Sequence, residues 1–538
     1  MKKNRLRLID IQFMLIMSII YVIPLFTHNG VQHAFNQDTI FHLSRIIGLQ
    51  NVFTTPVSFN NFAGHGTMIN IFYPWLTIYP AYLIFKITGS LFLGYNLYYL
   101  LITWLTMIIA FISINKIKND HFISICFSII YTFSAYRAID IFHRASMGEA
   151  VTFVFLPLIF TGCYEIFVGN YRSWSWLAAG MSLTLYTHLL SVAMISIIIF
   201  ILLILTFYFW NYKLQRLVSL LKATILTGLL SIGFIVPFLQ QINSHRLSTP
   251  DGHMLSGILP SDLITQSINN NFNNYTIGLL MGISLIISII FIKHFDRYDL
   301  FILFVGITLL ISTTNIFPWS LLSHTPISKL QFVWRINAII SLIFSYTGSI
   351  AIASKKKLQH PSGILLISML SIFITLSGIL NYHISNKENI TLITARNLET
   401  VASNYSHTDY SNKESEKYRK DINENKYLIN NSYVQPKVKY KNNNFVFKIN
   451  NTSRGTSNLI TPIYYYTGQR VSVDNRTVNS RLSHMGTTEF NISKGKHTIV
   501  IGYKYTKLAK ISILTSLATL LLFISLKTNK KDGDIYQI

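Results

Sequence analysis

Long apolar runs separated by short polar gaps make up most of this chain. A helix that spans a bilayer needs about 20 mostly apolar residues, and basic residues concentrate at its cytoplasmic end. Applied along the chain, these two rules predict twelve spanning helices with both termini in the cytoplasm. The first four predicted spans cover residues 9–27, 96–115, 121–136 and 150–168. The next five end near residues 188, 210, 240, 292 and 314. The tenth runs from 336 to about 355, the eleventh ends near 383, and the twelfth covers 508–526.

The apolar stretch 69–87 interrupts this pattern, because it contains Pro74 and Pro80. Counted as a span, it would invert the orientation of many later basic loops. Proline removes a helical hydrogen bond and breaks a helix into short pieces. The sequence therefore predicts one extracytoplasmic loop over about 28–95, in which short helices lie at the membrane interface.

Segment 384–506 has a different, polar and basic pattern. Its second half alternates as strands do, in FVFKI, IYYY, RVSVD and HTIVIGY, with Asp-Asn and Gly-Lys pairs between them. Its first half is either helical or loosely ordered. We therefore predict an all-α polytopic membrane protein with a small extracytoplasmic β domain before the last span. The predicted domains are a transmembrane module over 1–383, the β domain over 384–506, and a final helix with a basic cytoplasmic tail over 507–538.

Composition and charge agree with a membrane protein. Of the 538 residues, 51% are hydrophobic and only 12% are charged, whereas soluble domains carry about 25% charged residues. The formal charge of +24 lies largely in gaps between apolar runs, where it sets topology. This favours contact with anionic lipid or polymer over nucleic acid. Cys126 and Cys163 lie inside apolar runs without metal-ligand spacing, which is typical of small buried hydrophobes.

Several ionisable residues lie beside predicted helices on the outer side, where an unpaired charge is costly and marks a candidate site. They are Asp38, His42, Arg45, Arg137, Asp140, His143, Arg144, Glu149, His188 and Arg335.

The first group lies in NQDTIFHLSRI. On a helix, Asp38, His42 and Arg45 stand at i, i+4 and i+7 and share one face. The alternative is that Asp38 caps an interfacial helix while Arg45 reaches to lipid headgroups.

The second group lies in RAIDIFHRASMGEA, which has two acids and three bases. A solvated loop is the alternative, although Glu149 directly precedes an apolar helix and would be partly desolvated. A hydrogen-bonded core histidine is the alternative for His188. For the QFVWR stretch the alternative is an interfacial belt anchored by Trp334 and Arg335. The chain has no Walker A loop, HExxH, GxSxG or Cys/His metal pattern, which disfavours an ATPase, a protease and a zinc enzyme.

With these residues in view, nearly the whole chain resembles the GT-C superfamily of membrane glycosyltransferases. Within it, the chain is similar to bacterial YfhO-like proteins and to those labelled "6-pyruvoyl-tetrahydropterin synthase-related", a label that implies no pterin chemistry. The family's usual QFPWR appears here as QFVWR, with Val333 in place of proline. The matching stretches are QDTIFHLSRI, FYPWLTIYPAYL, AYRAIDIFHRASMGEAVTFVFLPLIF, LQFVWR, YYYTGQRVSVDNRTV and GKHTIVIGY.

The resemblance implies an extracytoplasmic transfer of a sugar from a polyprenyl-phosphate carrier to a cell-envelope acceptor such as teichoic acid or a polysaccharide. Asp38 would be the general base, and Glu149 and Asp140 would orient the acceptor or share that role. A phosphate leaving group needs cations rather than a strong acid. A single displacement predicts inversion, and the apolar spans would form a groove for the lipid tail. The expected substrate-binding and phosphate-binding set is His42, Arg45, Arg137, His143, Arg144, His188 and Arg335.

Other hypotheses stay open at this point. One is a transporter or flippase of lipid-linked glycans, and another is a non-catalytic assembly partner. No cofactor is expected, with a divalent metal bound by Asp38, Asp140 and Glu149 as the alternative. The basic β domain either binds an anionic acceptor or is a spacer without a ligand.

Overall fold

A computed structural model describes residues 6–34, 37–250, 252, 254–407, 409–441 and 443–533. The terminal residues 1–5 and 534–538, which the sequence predicts to be cytoplasmic, lie outside this part. The α-helices are α1 Leu8–Val22, α2 Thr39–Ile47, α3 Ile69–Phe72, α4 Tyr79–Thr88, α5 Leu91–Lys118, α6 His121–Thr132, α7 Ala135–Ala138, α8 Met147–Phe167, α9 Ser175–Leu185, α10 Leu189–Thr206, α11 Lys213–Ser244, α12 Pro260–Ile268, α13 Gly278–Ile290, α14 Arg297–Ser312, α15 Asn337–Ala353, α16 Pro361–Ser385, α17 Ala395–Ser403, α18 Arg419–Asn423 and α19 Lys507–Gly533.

The strands are β1 Gly30–Ala34, β2 Ile390–Thr394, β3 Tyr427–Ile429, β4 Ser432–Val434, β5 Val438–Lys441, β6 Asn444–Asn451, β7 Ser457–Tyr464, β8 Gln469–Val473, β9 Arg476–Val478, β10 Arg481–Leu482, β11 Thr487–Ile492 and β12 Gly495–Tyr503. The protein is mostly helical, and the predicted β region near the C-terminus is confirmed.

Eight helices of the described chain are long and apolar enough to cross a membrane, and nine if the bent pair α6–α7 is one span. This indicates a membrane protein, but the expected count of twelve spans is not confirmed. The other three expected spans coincide with α9, α13 and α14, which have only 11, 13 and 16 residues. Each is shorter than the roughly 20 residues that a spanning helix needs. The long helices are Leu8–Phe26, Leu91–Lys118, Met147–Phe167, Leu189–Phe209, Lys213–Ser244, Val333–Ala353, Pro361–Ser385 and Lys507–Lys527.

The chain forms two compact units that differ from the expected domain division. The helical unit comprises residues 1–39, 87–227 and 251–395, and the sandwich unit comprises 40–86, 228–250 and 396–538. Most of the expected first outer loop therefore belongs to the sandwich unit. The last helix, α19, belongs to it as well.

Small residues and helix caps set the packing of the helical unit. Asn119 ends α5 in the left-handed conformation (φ 50°), and Asp120 caps α6 by accepting from the Ile123 N–H. Helices α8 and α9 approach closely at Gly162, where an added Cβ would lie 2.2 Å from the Leu177 nitrogen. This packing fixes α8, whose first turn carries Glu149. Strands β1 and β2 pair antiparallel in the same unit.

Within the described ranges, the strands of the sandwich unit form two five-stranded antiparallel sheets. Their orders are β10-β11-β7-β3-β4 and β5-β6-β12-β8-β9. The predicted Asp-Asn turn joins β8 to β9, and Asp474 and Asn475 both have positive φ (49° and 65°), as a tight two-residue hairpin requires. Phe59, Met68 and Phe72, from the expected outer loop, lie in the apolar core together with the strands.

The proline-containing segment consists of short pieces, as the sequence predicts. Helix α3 ends before Pro74, a 3-10 turn covers Leu76–Ile78, and α4 begins at Tyr79. Pro80 lies in the first turn of α4, where its missing N–H has no helical acceptor to lose.

Candidate active site

The richest group of charged side chains lies where a distorted helix meets α8. Residues Ile139–His143 form a single π-helical turn, a rare feature that is frequent at functional sites. Ala145 follows in the left-handed region (φ 53°), which is costly for a residue other than glycine. This backbone turns the chain sharply between Arg144 and the first turn of α8.

Arg144 binds two carboxylates through one nitrogen. Its Nη1 donates to Asp140 Oδ1 at 2.6 Å and to Glu149 Oε2 at 2.7 Å, and both carboxylates are buried. Burial alone would lower the pKa of Arg144, but Glu149, Tyr136 and Asp140 raise it well above its usual value. The guanidinium therefore stays charged beside two acids.

Tyr136 also belongs to this group, and sequence reasoning missed it. Its buried hydroxyl donates to Glu149 Oε1 at 2.6 Å. The signal was available, because Tyr136, Asp140 and Arg144 follow one another at four-residue spacing and so lie on one helix face. The sequence pattern singled out the charged neighbours of Tyr136 and not its neutral hydroxyl group.

Arg335 supplies a second cation with unused donors. Its side chain is 7% exposed, and Nη2 donates to Gln331 Oε1 at 3.1 Å. Among the described residues, the Nε and Nη1 atoms of Arg335 have no hydrogen-bond partner. The buried Oδ2 of Asp140 has no partner among them either. Arg335 interacts electrostatically with both Asp140 and Glu149. We call Tyr136, Asp140, Arg144, Glu149 and Arg335 the Arg144 cluster.

Trp334 joins the two guanidinium groups. The Cζ atoms of Arg144 and Arg335 lie 4.4 and 5.9 Å from its ring centroid. Tyr275 and Phe332 stack against the same indole at 4.4 and 4.7 Å. Cation–π contacts of this kind hold a guanidinium without neutralising its charge.

Asp38 lies next to the Arg144 cluster through its backbone. Its N–H donates to the carbonyl oxygen of Arg144 at 3.0 Å, and its side chain is exposed. The expected base and the expected phosphate-binding arginine are therefore neighbours, although 106 positions separate 38 from 144 in the sequence.

The predicted histidines of the helical unit lie nearby. An added Cβ on Gly148 would lie 3.3 Å from His188 Cδ2, so the His188 ring contacts the residue before Glu149. His188 Nδ1 is 2.8 Å from Ser191 Oγ. His143 stacks on Tyr275, and its Nδ1 lies 3.0 Å from the Phe272 carbonyl oxygen.

Arg137 has a different environment from the other predicted arginines of this unit. Its fully buried side chain donates to Thr103 Oγ1 at 2.8 Å and to the Thr132 carbonyl at 3.3 Å. Its Cζ lies 4.8 Å from the Tyr21 ring centroid. These contacts tie α5 and α6 together and indicate a packing role.

His42 and Arg45 belong to the sandwich unit. The Arg45 side chain is 1% exposed and donates to the carbonyl oxygens of Tyr73 and Pro74 at 3.1 and 2.8 Å. His42 Nδ1 lies 3.3 Å from Arg45 Nη1. Arg45 thereby satisfies the backbone of the proline-containing segment, which leaves it poorly placed to hold a phosphate.

Two of the predicted acids share one arginine. Asp140 and Glu149 share Arg144, as described above. In the part of the chain that the structure covers, no three His, Cys, Asp or Glu side chains are grouped as metal ligands.

An apolar cavity of about 110 Å³ lies between α8, α10, α14 and α15. Side chains of Leu156, Phe160, Ile199 and Ile339 are among those that line it. Helix α8 begins beside Glu149, α10 beside His188 and α15 beside Arg335. At a rise of 1.5 Å per residue, Leu156 is roughly 10 Å along α8 from Glu149. An amphiphilic molecule with an anionic head and an apolar tail matches this order of polar and apolar surfaces.

Comparisons with known proteins leave the family open: no family model matches this chain, and no curated protein matches it.

Proposed function

We propose that this protein is a membrane glycosyltransferase of the GT-C type, which moves a sugar from a polyprenyl-phosphate carrier to a cell-envelope acceptor. Its reaction would take place on the outer face of the membrane, with both termini in the cytoplasm and the two five-stranded sheets outside. The resemblance of the Asp38, Glu149 and Arg335 stretches to that superfamily supports this proposal. The acceptor would be a teichoic acid or a polysaccharide.

The observation that carries the proposal is the set of unused polar atoms in the Arg144 cluster. Buried polar groups are normally hydrogen-bonded, and leaving one without a partner costs about 1–3 kcal/mol. Arg335 has two such nitrogens and Asp140 one such oxygen, counted against the described residues. A ligand with both anionic oxygens and hydroxyl groups, such as a sugar phosphate, would satisfy both kinds of atom.

In the proposed reaction Asp38 removes the proton from an acceptor hydroxyl. The acceptor oxygen forms a bond to the anomeric carbon while the bond from that carbon to the phosphate oxygen breaks. The electron pair goes to the phosphate, and the proton stays on Asp38. A single displacement of this kind inverts the anomeric configuration.

The guanidinium groups have separate tasks in this scheme. Arg335, whose Nε and Nη1 have no partner among the described residues, would stabilise charge that develops on the leaving phosphate. Arg144, already bound to two carboxylates, would hold Asp140 and Glu149 in position to hydrogen-bond with sugar hydroxyls. The apolar cavity between α8, α10, α14 and α15 would receive the isoprenoid tail of the carrier.

The test is sugar transfer in membrane vesicles supplied with a labelled polyprenyl-phosphate sugar. Asp38→Asn should abolish transfer while expression and thermal stability stay unchanged. Asp262→Asn is the matched control, because Asp262 is an exposed aspartate of the same unit in the first turn of α12. Full transfer by Asp38→Asn would refute the assignment of the base. Movement of the lipid-linked sugar across the bilayer without transfer would favour a flippase instead.

A further inference from the structure

A second cavity, of about 490 Å³, lies entirely within the sandwich unit. Its walls come from the segment 47–64, from α4, from α17 and the residues that follow it, and from β5. Ligand pockets for small molecules typically measure about 300–1,000 Å³. The cavity therefore has room for a ligand of one to a few sugar rings.

One side of this cavity is aromatic. Tyr440, at the edge of the second sheet, is 50% exposed and stacks with Phe59 at 6.5 Å and an interplanar angle of 16°. Tyr82 and Phe85 of α4 also line the cavity. An exposed ring of this kind can receive the apolar C–H face of another ring.

The backbone beside Tyr440 is shaped to admit its hydroxyl group. Gly64 has φ +76°, and a Cβ on it would lie 2.3 Å from Tyr440 Oη. Ala63, directly before it, also has a positive φ of 55°. Strained residues of this kind persist only where the surrounding structure holds them, and they are frequent at binding sites.

The rest of the wall is polar and carries no net charge. Gln50, Asn60, Ser403 and Asn404 supply amide and hydroxyl groups, and Asn60 Nδ2 donates to Gln50 Oε1 at 2.8 Å. Among the described residues that line the cavity, the charged side chains are Lys86 and Glu399, which have opposite signs. Such a wall suits neither an anion, which needs several cations, nor a lipid tail, which needs an apolar surface.

We propose that this cavity, the saccharide cleft, binds a neutral saccharide. Saccharides combine an apolar C–H face with many hydroxyl groups that both donate and accept hydrogen bonds, and the cleft offers a partner for each. That this saccharide is the acceptor chain of the transfer reaction rests on the proposed function. The binding itself is independent of that reaction.

The experiment is calorimetric titration of the full-length protein in lipid nanodiscs. Maltoside detergents are avoided because their headgroups would compete. The probes are uncharged tetrasaccharides of glucose and of N-acetylglucosamine, with inorganic polyphosphate as the anionic comparison. Tyr440→Ala should weaken saccharide binding about tenfold, which is about 1.4 kcal/mol, because the exposed ring that stacks on the sugar is lost. Asn404→Ala, which removes an exposed amide, should weaken it several-fold without affecting folding.

Tyr433→Ala is the matched control. Tyr433 lies on β4 of the same unit, is 57% exposed and does not line the cleft. Its substitution should leave binding unchanged. The proposal is overturned if neither tetrasaccharide binds, if the Tyr440 and Tyr433 variants bind equally well, or if polyphosphate binds in a way that depends on Tyr440.

Binding and transfer are measured separately, so the two proposals fail separately. Asp38→Asn protein should bind the tetrasaccharide as the unmodified protein does. Intact saccharide binding by the unmodified protein without any transfer activity would refute the glycosyltransferase and leave the cleft standing. Normal transfer without saccharide binding would refute the cleft alone.

Discussion

Arg45 in the sandwich unit and Arg335 in the helical unit are both buried arginines, and the sequence predicts the same phosphate-binding role for both. Arg45 is 1% exposed and donates to two backbone carbonyls, whereas Arg335 is 7% exposed and has two nitrogens without a partner in the described chain. A buried cation whose nitrogens all have partners within the protein, as Arg45 has in Asn70, His42 and two carbonyls, stabilises a fold. A buried cation with unused donors is available to a ligand, so the partners of an arginine matter more than its burial.

The largest effect expected from this comparison concerns Arg335→Gln. The substitution removes the charge that would stabilise the leaving phosphate, so transfer should fall about 10²–10³-fold, as when one oxyanion donor is removed. Thermal stability should fall less than in Arg45→Met, because Arg335 loses one hydrogen bond, from Nη2 to Gln331, and its Nε and Nη1 make none within the described chain. Single-turnover transfer rates measure the first effect, and melting curves the second. Arg297→Gln, an exposed arginine at the start of α14, is the control. Unchanged rates would contradict the role of Arg335.

Arg45→Met should have the opposite profile. It leaves the Tyr73 and Pro74 carbonyls without their donor, so the free energy of unfolding should decrease by roughly 2–4 kcal/mol. Transfer activity per folded molecule should stay close to normal. Chemical denaturation followed by the near-ultraviolet signal tests this. A loss of activity at unchanged stability would instead support the original phosphate-binding prediction.

Tyr136→Phe removes one donor from Glu149 and leaves the Arg144 contact in place. The expected cost is about 1–1.5 kcal/mol, which corresponds to roughly tenfold in transfer rate. Tyr131→Phe is a matched control, because Tyr131 is another buried tyrosine whose hydroxyl donates to a backbone carbonyl, that of Phe153. Its substitution should lower stability without changing transfer. Equal activity losses in the two variants would mean that Tyr136 acts only through packing.

The smallest expected effect concerns a surface ion pair of the sandwich unit. The hydrogen bond that the His497 imidazole donates to the Asp474 carboxylate raises the pKa of His497 and lowers the pKa of Asp474. His497 contributes its full stabilisation at pH values below the ordinary histidine pKa of about 6.5. This contribution is lost as the pH rises through the raised pKa that His497 has in the folded protein. Asp474 contributes its full stabilisation at pH values above the ordinary aspartate pKa of about 4. This contribution is lost as the pH falls through the lowered pKa that Asp474 has in the folded protein.

The pair should therefore stabilise the sandwich unit most between about pH 4 and pH 6.5. The melting temperature of the unmodified protein minus that of His497→Gln, measured from pH 3 to pH 9, should have its maximum in this window. A difference that is constant with pH would exclude the pair as its cause.

Sequence reasoning found the segments that contribute to the candidate site but not all of its members. The stretches around Asp38, Asp140–Glu149 and Arg335 meet in the helical unit. Tyr136 was missed, because a tyrosine beside a membrane helix is an ordinary interfacial residue. Arg45 received the same role as Arg335, since a sequence does not reveal which cation will find backbone carbonyls. The saccharide cleft left no local signal.

The sequence by itself determined the membrane class, the broken proline-containing segment, the β region and its Asp-Asn turn. Each of these depends on residues within a few positions of one another, so composition and periodicity report them. Only the tertiary structure decided that helices α9, α13 and α14 are short, that residues 40–86 join the sandwich unit, and which buried charges keep unused donors. Those features depend on contacts between distant residues, such as Tyr440 with Phe59 and Gly64, which local periodicity does not record.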